Sequence, residues 1–359
     1  MKKLLLFSLL FIFSMNNCYA STSTASQYIL MDEVTGRVLR GKNYNTPMLI
    51  ASITKIMTCL LAIESNKLDD IVIIDDVIND SYGSGIYIEV GEEICLRDLL
   101  YGLMLRSGND AALMIAKYVG GDVETFVNMM NNKAKEIGMT NTIFVNPSGL
   151  DNTDGGNYST SYDMAMLTRY AMKYDEYKKI VKTKSYTVKT DKKTYIWKNK
   201  NKLLSEDYIT GGKTGYTEKA KRTLVSTASS DNINLIVVTI RDSDDWNTHR
   251  ELYNYAFSNY MSYRVLNRKD FDVIGDNYYN GEFYIKNDVY IPLKKDEKNY
   301  LIGKIMLEKK ERYKSNDIVG EYDIYLDKML IHKELIYINN IKKNKKKDKS
   351  LFDYIKDLF

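Results

Sequence analysis

The pattern of apolar residues changes character near Tyr263, and that change constrains the fold more than any other feature of the chain. Before it, segments of helical and strand period are interspersed. Ile56, Leu60 and Ile63 recur every three to four residues across 52–64, which predicts a helix starting at Ala51-Ser52. Residues 123–137 repeat the pattern, and so do 161–173, where Ser161 can cap the helix and Asp163 sits in its first turn. Residues 96–119 read as helix, broken at Ser107-Gly108-Asn109. Residues 27–39 read as two short strands around Asp32-Glu33-Val34-Thr35-Gly36, and 185–197, 223–229 and 233–240 as strands, followed by a helix at 245–259. From Tyr263 to Ile341, short runs of Tyr, Ile and Val alternate with Asn, Asp, Gly and Lys, a pattern of short strands and turns. A chain of 359 residues is expected to form about two domains. The fold class expected is α+β: a mixed domain over 21–262, a boundary at 262–270, and a small β-sandwich over 270–341. No internal repeat is visible.

The two ends differ from the body. Lys2 and Lys3 precede an apolar run from Leu4 to Met15, and Cys18-Tyr19-Ala20 offers small residues where a signal peptidase reads, so 1–20 is expected to be an export leader. The run is too short to span a bilayer, which takes about 20 residues. At the other end, a lysine-rich stretch over 342–349 precedes Leu351, Phe352, Ile355, Leu358 and Phe359, which share one helical face. Basic charge followed by an amphipathic segment is expected to lie on a membrane surface.

Charge and cysteine content narrow the function. The net charge of +4 is a property of the ends, because the tail alone holds seven lysines against three aspartates. The body is slightly acidic, which argues against nucleic acid as a partner. Of three cysteines, Cys18 belongs to the leader and Cys59 lies within an apolar helical run. Neither a disulfide framework nor a metal site is expected from the remaining two cysteines and two histidines at these spacings.

Three motifs carry chemistry. In Ser52-Ile53-Thr54-Lys55, residues i and i+3 share a helical face, so a hydroxyl and an amine can meet within one turn. A serine is a weak nucleophile until a base takes its proton, and lysine can be that base once its pKa is lowered. Ser107-Gly108-Asn109 supplies a second hydroxyl and an amide. Lys213-Thr214-Gly215, followed by Tyr216, adds a cation, and Gly215 removes a side chain where a peptide could lie along a sheet edge. The phosphate-loop pattern is absent, since Asp207 stands where its first glycine would be. Each motif alone is common; the ordered set is specific. Only His249 and His332 are available for a histidine-based triad, and neither accompanies a nucleophile turn.

On these residues the sequence resembles the D-alanyl-D-alanine carboxypeptidases, the low-molecular-mass penicillin-binding proteins. The resemblance extends over 27–260, through 28–32 with Gly36, 51–58, 86–109, Asn146-Pro147 with Gly149-Leu150, 159–169 and 212–228. It implies a β-lactamase/transpeptidase-like domain, an antiparallel sheet flanked by helices. It implies that Ser52, Lys55, Ser107 and Asn109 are catalytic, that Lys213, Thr214, Gly215 and Tyr216 bind substrate, and that no cofactor or metal is used. Substrates would be peptidoglycan stem peptides, β-lactams would bind covalently, and the enzyme would work outside the cytoplasmic membrane. Two positions depart from the family pattern: Lys221 stands where glycine is expected, and Asn157 where histidine often precedes the Ser-Thr pair. Alternatives are a class A-like β-lactamase and a silent peptidoglycan-binding protein. The former is disfavoured because 143–158 contains no glutamate to activate a deacylating water.

Overall fold

The computed structural model describes residues 23–339 except residue 154. The expected leader at 1–20 and the tail at 342–359 lie outside the described residues.

A five-stranded antiparallel sheet organises the larger part, in the order Val38–Lys42, Gln27–Asp32, Ile233–Ile240, Lys221–Ser230, Ile209–Thr217. The period of two sends alternate side chains to opposite faces. Ile29, Met31, Ile236 and Val238 enter the larger apolar core, while Leu30, Leu235 and Val237 enter a second core under the helix Asp245–Asn259. The larger core takes in the helices Lys55–Glu64, Asn109–Gly120 and Ser161–Ala171. Helices on both faces explain why the central strands are buried throughout rather than alternating in exposure. Each fully buried aliphatic side chain contributes about 1.5–3 kcal/mol.

The β-rich C-terminal part has a four-stranded sheet, ordered Glu282–Tyr284, Met329–Asn339, Ile318–Leu326, Leu301–Leu307, and a two-stranded one of Met261–Leu266 with Val289–Leu293. Leu266, Ile291, Leu293, Ile324 and Leu326 from the two sheets pack into one core cluster. Arg37, at the tip of the first hairpin, grips the Glu297 carboxylate through both terminal nitrogens and lies over the Tyr260 ring, tying the two parts together. Among the described residues no helix is long and apolar enough to cross a membrane.

Several elements differ from the sequence expectation. The helix expected at 52–64 begins as a 3-10 turn, Ala51–Thr54, and becomes α-helical only at Lys55. Residues 185–197 form a hairpin, Ser185–Lys189 with Thr194–Lys198, rather than one strand. The helix Asp175–Lys182, the hairpin Ile71–Ile73 with Glu93–Cys95, and the nine-residue strand Ile209–Thr217 are additional to those expected.

Candidate active site

Ser52 lies in the 3-10 turn that opens the buried helix, and Ala51 before it takes a left-handed backbone with φ of 49°. That conformation is uncommon for a residue with a side chain. It is held partly by Gly149, whose φ is +82° and whose absent Cβ would lie 2.0 Å from the Ala51 carbonyl oxygen. The turn leaves Ser52 half-buried and Lys55 with no exposed surface.

The Lys55 amine meets three oxygens: Ser52 Oγ at 3.1 Å, Asn109 Oδ1 at 2.7 Å and the Ser148 carbonyl at 2.5 Å. A neutral amine has two N–H groups and one lone pair. Asn109 Oδ1 and the Ser148 carbonyl can only accept, so they take the two N–H groups and leave the lone pair for the Ser52 hydroxyl. Burial pushes the Lys55 pKa well below its ordinary value; the neighbouring Lys213 and Lys200 cations lower it further, and Asp110 opposes them weakly.

Ser107 ends a π-helical turn, Gly102–Arg106, in the left-handed conformation with φ of 64°. This bend places Ser107 Oγ 3.0 Å from the buried Lys213 Nζ, which also donates to the Thr214 carbonyl at 2.6 Å. Burial first, and Lys200 second, push the Lys213 pKa down to about 7. Asn109 opens the next helix and is engaged at both ends: its Oδ1 accepts from Lys55, and its Nδ2 donates to the Tyr82 carbonyl at 2.5 Å. The second hydrogen on Nδ2 has no protein acceptor among the described residues.

Lys213, Thr214, Gly215 and Tyr216 lie on the edge strand Ile209–Thr217, whose outer side has no strand partner among the described residues. An unpaired edge can add an extended peptide as a further strand. Gly215 has a different immediate reason from the one expected of it. A Cβ there would lie 2.4 Å from Thr223 Oγ1 and 2.9 Å from the Ser52 backbone nitrogen. The missing side chain therefore lets the strand and the Ser52 turn touch, which brings the Ser52 N–H close to the strand. Tyr216 is largely exposed at the rim.

The structure thus gathers these side chains into two hydrogen-bonded groups, Ser52–Lys55–Asn109 and Ser107–Lys213, near enough for the Lys213 charge to act on Lys55, with Thr214, Gly215 and Tyr216 on the same edge strand as Lys213. It also adds residues that sequence reasoning did not single out. Ser148 contributes only its carbonyl, which no side-chain pattern can reveal. Asn146 Oδ1 accepts from the Ser148 and Gly149 N–H groups at 3.1 and 2.7 Å, and so shapes that loop. Asn157, one of the two departures, is a clamp: its Oδ1 accepts from the Val145 N–H at 2.7 Å, and its Nδ2 donates to Thr54 Oγ1 and the Asn146 carbonyl, both at 2.9 Å. Lys221, the other departure, takes a φ of 61°, which glycine adopts without strain. Lys200 is exposed, yet its Nζ rests 3.2 Å from Ser84 Oγ, and its charge acts on both buried lysines. In the sequence it is one lysine in a lysine-rich stretch, indistinguishable from a solvated surface.

A serine facing a buried lysine of lowered pKa, a second serine–lysine pair and a glycine-bearing edge strand match the pattern of active-site serine enzymes with the penicillin-binding fold. Comparison with known proteins narrows this. The D-alanyl-D-alanine carboxypeptidase peptidase family matches residues 15–244, and the chain belongs to that family. It is 36% identical over 255 residues to the D-alanyl-D-alanine carboxypeptidase DacF of Bacillus subtilis, covering 68% of this chain and 65% of that one. It is 28% identical to DacD of Escherichia coli over 100% of this chain and 98% of that relative. The crystal structure of penicillin binding protein 5 from Haemophilus influenzae superposes with a TM-score of 0.70 and 26% identity, covering 89% of this chain and 97% of that one. The β-rich C-terminal part is therefore included in the shared fold.

Proposed function

We propose that the protein is a serine-type D-alanyl-D-alanine carboxypeptidase that removes the terminal D-alanine from peptidoglycan stem pentapeptides. The observation that carries this reading is the bonding of the Lys55 amine, which fills both N–H positions of a neutral amine and aims the remaining lone pair at Ser52. In this reading Lys55 takes the Ser52 proton as Oγ attacks the penultimate carbonyl carbon. The Ser52 and Tyr216 N–H groups stabilise the developing oxyanion, worth several kcal/mol in such sites, about 3–4 for one donor. Lys213 and the Thr214 hydroxyl hold the terminal carboxylate. Ser107, bonded to Lys213, passes a proton to the departing D-alanine nitrogen, and the free Asn109 Nδ2 hydrogen holds the penultimate amide. Water then hydrolyses the Ser52 ester.

The same site takes β-lactams as covalent inhibitors. The loop beside Lys55 reaches it through the Ser148 carbonyl, and 143–158 contains no glutamate, so water activation after acylation is weak and the penicilloyl ester is long-lived. The leader at 1–20 would export the protein, the domains would divide at 262–270, and the tail at 342–359 would hold the enzyme at the outer face of the membrane. The test is D-alanine release from a muropeptide ending in D-Ala-D-Ala, alongside labelling by a fluorescent penicillin. Release and labelling that both vanish in Ser52→Ala are expected. Absence of both in the wild-type protein would sink the reading and leave a silent binder.

A further inference from the structure

The four-stranded sheet of the C-terminal part has two unlike edges. The strand Glu282–Tyr284 on one side is three residues long, whereas Leu301–Leu307 on the other is seven and runs against Ile318–Leu326 without a bulge. Exposed edges in natural proteins are kept short, bulged, interrupted by proline or heavily charged, because their free N–H and C=O groups can pair with another chain. Leu301–Leu307 carries one charge, Lys304, and no proline. Ile302 is 56% exposed, and Ile305 and Met306 are each 38% exposed. Its outer side has no strand partner among the described residues.

The free backbone groups of this edge follow from the hydrogen bonds at its two ends. The Glu308 N–H donates to the Val319 carbonyl, and the Tyr300 carbonyl accepts from the Asp327 N–H. Even-numbered residues therefore turn their backbone groups toward the sheet. Direction alternates along an antiparallel strand, so the N–H and C=O groups of Leu301, Gly303, Ile305 and Leu307 point outward. Side chains alternate between the faces as well. Ile305 lies opposite Tyr322, and Leu307 packs on the core cluster beside Val319, which defines the inner face. Lys304, Met306 and Glu308 share the outer face.

The charge pattern of the edge complements itself. Lys304 and Glu308 are exposed, and neither makes an ion pair among the described residues. A two-fold axis through Met306 would set each Lys304 opposite Glu308 of a second copy, and each Ile305 opposite Leu307, with the outward backbone groups of Ile305 and Leu307 facing one another. Both ion pairs form at once. A register centred on Lys304 would instead place like charges opposite each other, which destabilises a strand pair. The lysine-rich stretch over 342–349 of the same chain is a poor occupant, since it would meet Lys304, Lys309 and Lys310.

We infer that Leu301–Leu307 is a self-association edge: a second copy of this chain adds its own Leu301–Leu307 antiparallel to it, in the register centred on Met306. The C-terminal sheets of two chains then form one continuous sheet. The other open edge, Ile209–Thr217, lies in the larger part and stays free for substrate.

The test is sedimentation velocity on the full chain in non-ionic detergent, over a range of concentrations. Wild-type protein should shift from the mass of one chain to that of two as concentration rises. Lys304→Glu and Glu308→Lys should each weaken association about tenfold, because two opposite-charge pairs become two like-charge pairs. The double variant K304E/E308K restores both pairs and should dimerise like wild type. Circular dichroism melting verifies that the variants are folded, which these exposed positions permit. Amide hydrogen exchange gives a second readout: the Ile305 and Leu307 N–H groups should be protected in concentrated protein and exchange freely in dilute protein. A wild-type chain that stays monomeric throughout overturns the proposal. So does a dimer that is indifferent to Lys304→Glu, which would place the contact elsewhere. Single reversals that weaken the dimer without rescue in K304E/E308K would overturn the register.

Discussion

Of the serine–base pairs in the larger part of this molecule, Ser226–His249 and Ser52–Lys55 contrast most, and the more conventional of them is the one buried throughout. Ser226 Oγ is 2.6 Å from His249 Nδ1 and 2.7 Å from the Tyr253 hydroxyl, while His249 Nε2 is 3.1 Å from Thr239 Oγ1. All four residues have no exposed surface and are packed between the sheet and the helix Asp245–Asn259. Ser52 faces a lysine, which in water would be charged and useless as a base, yet Ser52 borders an open sheet edge. A serine–base hydrogen bond therefore does not define a nucleophile. What separates the pairs is the open sheet edge beside Ser52, together with the burial that lowers the Lys55 pKa.

The largest expected effect breaks this comparison directly. Ser52→Ala and Lys55→Ala should each reduce penicillin acylation by about 10⁴-fold or more, as removing the nucleophile or base does in serine hydrolases. Ser226→Ala should acylate at nearly the wild-type rate. Stopped-flow labelling distinguishes them, and a loss of labelling in folded Ser226→Ala would mean that the two pairs are coupled.

Lys213→Ala ranks next. Burial is the leading cause of the lowered Lys55 pKa and the Lys213 charge only the second. Its removal should thus cost less than loss of Lys55, about 10²–10³-fold as for one oxyanion-hole donor. An acylation rate in Lys213→Ala as low as in Lys55→Ala would reverse that order. The Lys213 pKa of about 7 also sets a pH limb: its cation is lost as pH rises through that value, so carboxylate binding in the free enzyme should weaken on the alkaline side. Lys213→Arg should move this limb of kcat/KM to higher pH.

The buried histidine gives a smaller effect, read in stability. Desolvation lowers the His249 pKa to about 3 from an ordinary 6.5. Between those values the unfolded chain binds a proton that the folded chain does not. Stability should therefore be fully present above pH ~6.5 and fall by about 1.4 kcal/mol per pH unit below it until the folded histidine titrates. Urea denaturation of wild type and His249→Gln from pH 7 to 4 measures this, and parallel pH slopes would refute it. Smallest is Lys221→Gly, which relieves a left-handed backbone worth roughly 1–2 kcal/mol, less the entropy glycine adds to the unfolded chain. A gain of about 0.5–1 kcal/mol is expected, and destabilisation would show that the Lys221 side chain has a role in the folded state.

Much of the fold was legible because apolar period survives in the sequence. The strand Ile233–Ile240 runs over the residues expected of it, and the helix Asp245–Asn259 likewise. The strand Ile209–Thr217 was not legible, because its three glycines weaken strand propensity locally. It forms because Lys221–Ser230 offers a full antiparallel ladder. The helix Asp175–Lys182 is short and buries only Tyr177, Ile180 and Val181, too brief a signal to separate from a turn. In the candidate site, motif side chains could be read, but the Ser148 carbonyl, the Asn157 clamp and the influence of Lys200 could not, since they depend on where loops distant in sequence come to rest.

The sequence by itself determined the chemical groups and their order: Ser52 with Lys55 on one turn, Ser107 with Asn109 after a break, and Lys213 before a glycine. Local spacing is enough for that, because i and i+3 meet on any helical turn. The tertiary structure alone decided that the Lys55 pKa is pushed well below its ordinary value. That shift requires the enclosure of its ammonium by the surrounding core and the approach of Lys213 across the sheet. Desolvation is a property of everything that surrounds a group, and no spacing along the chain encodes it. The same reason makes Ser52 the open pair and Ser226 the closed one.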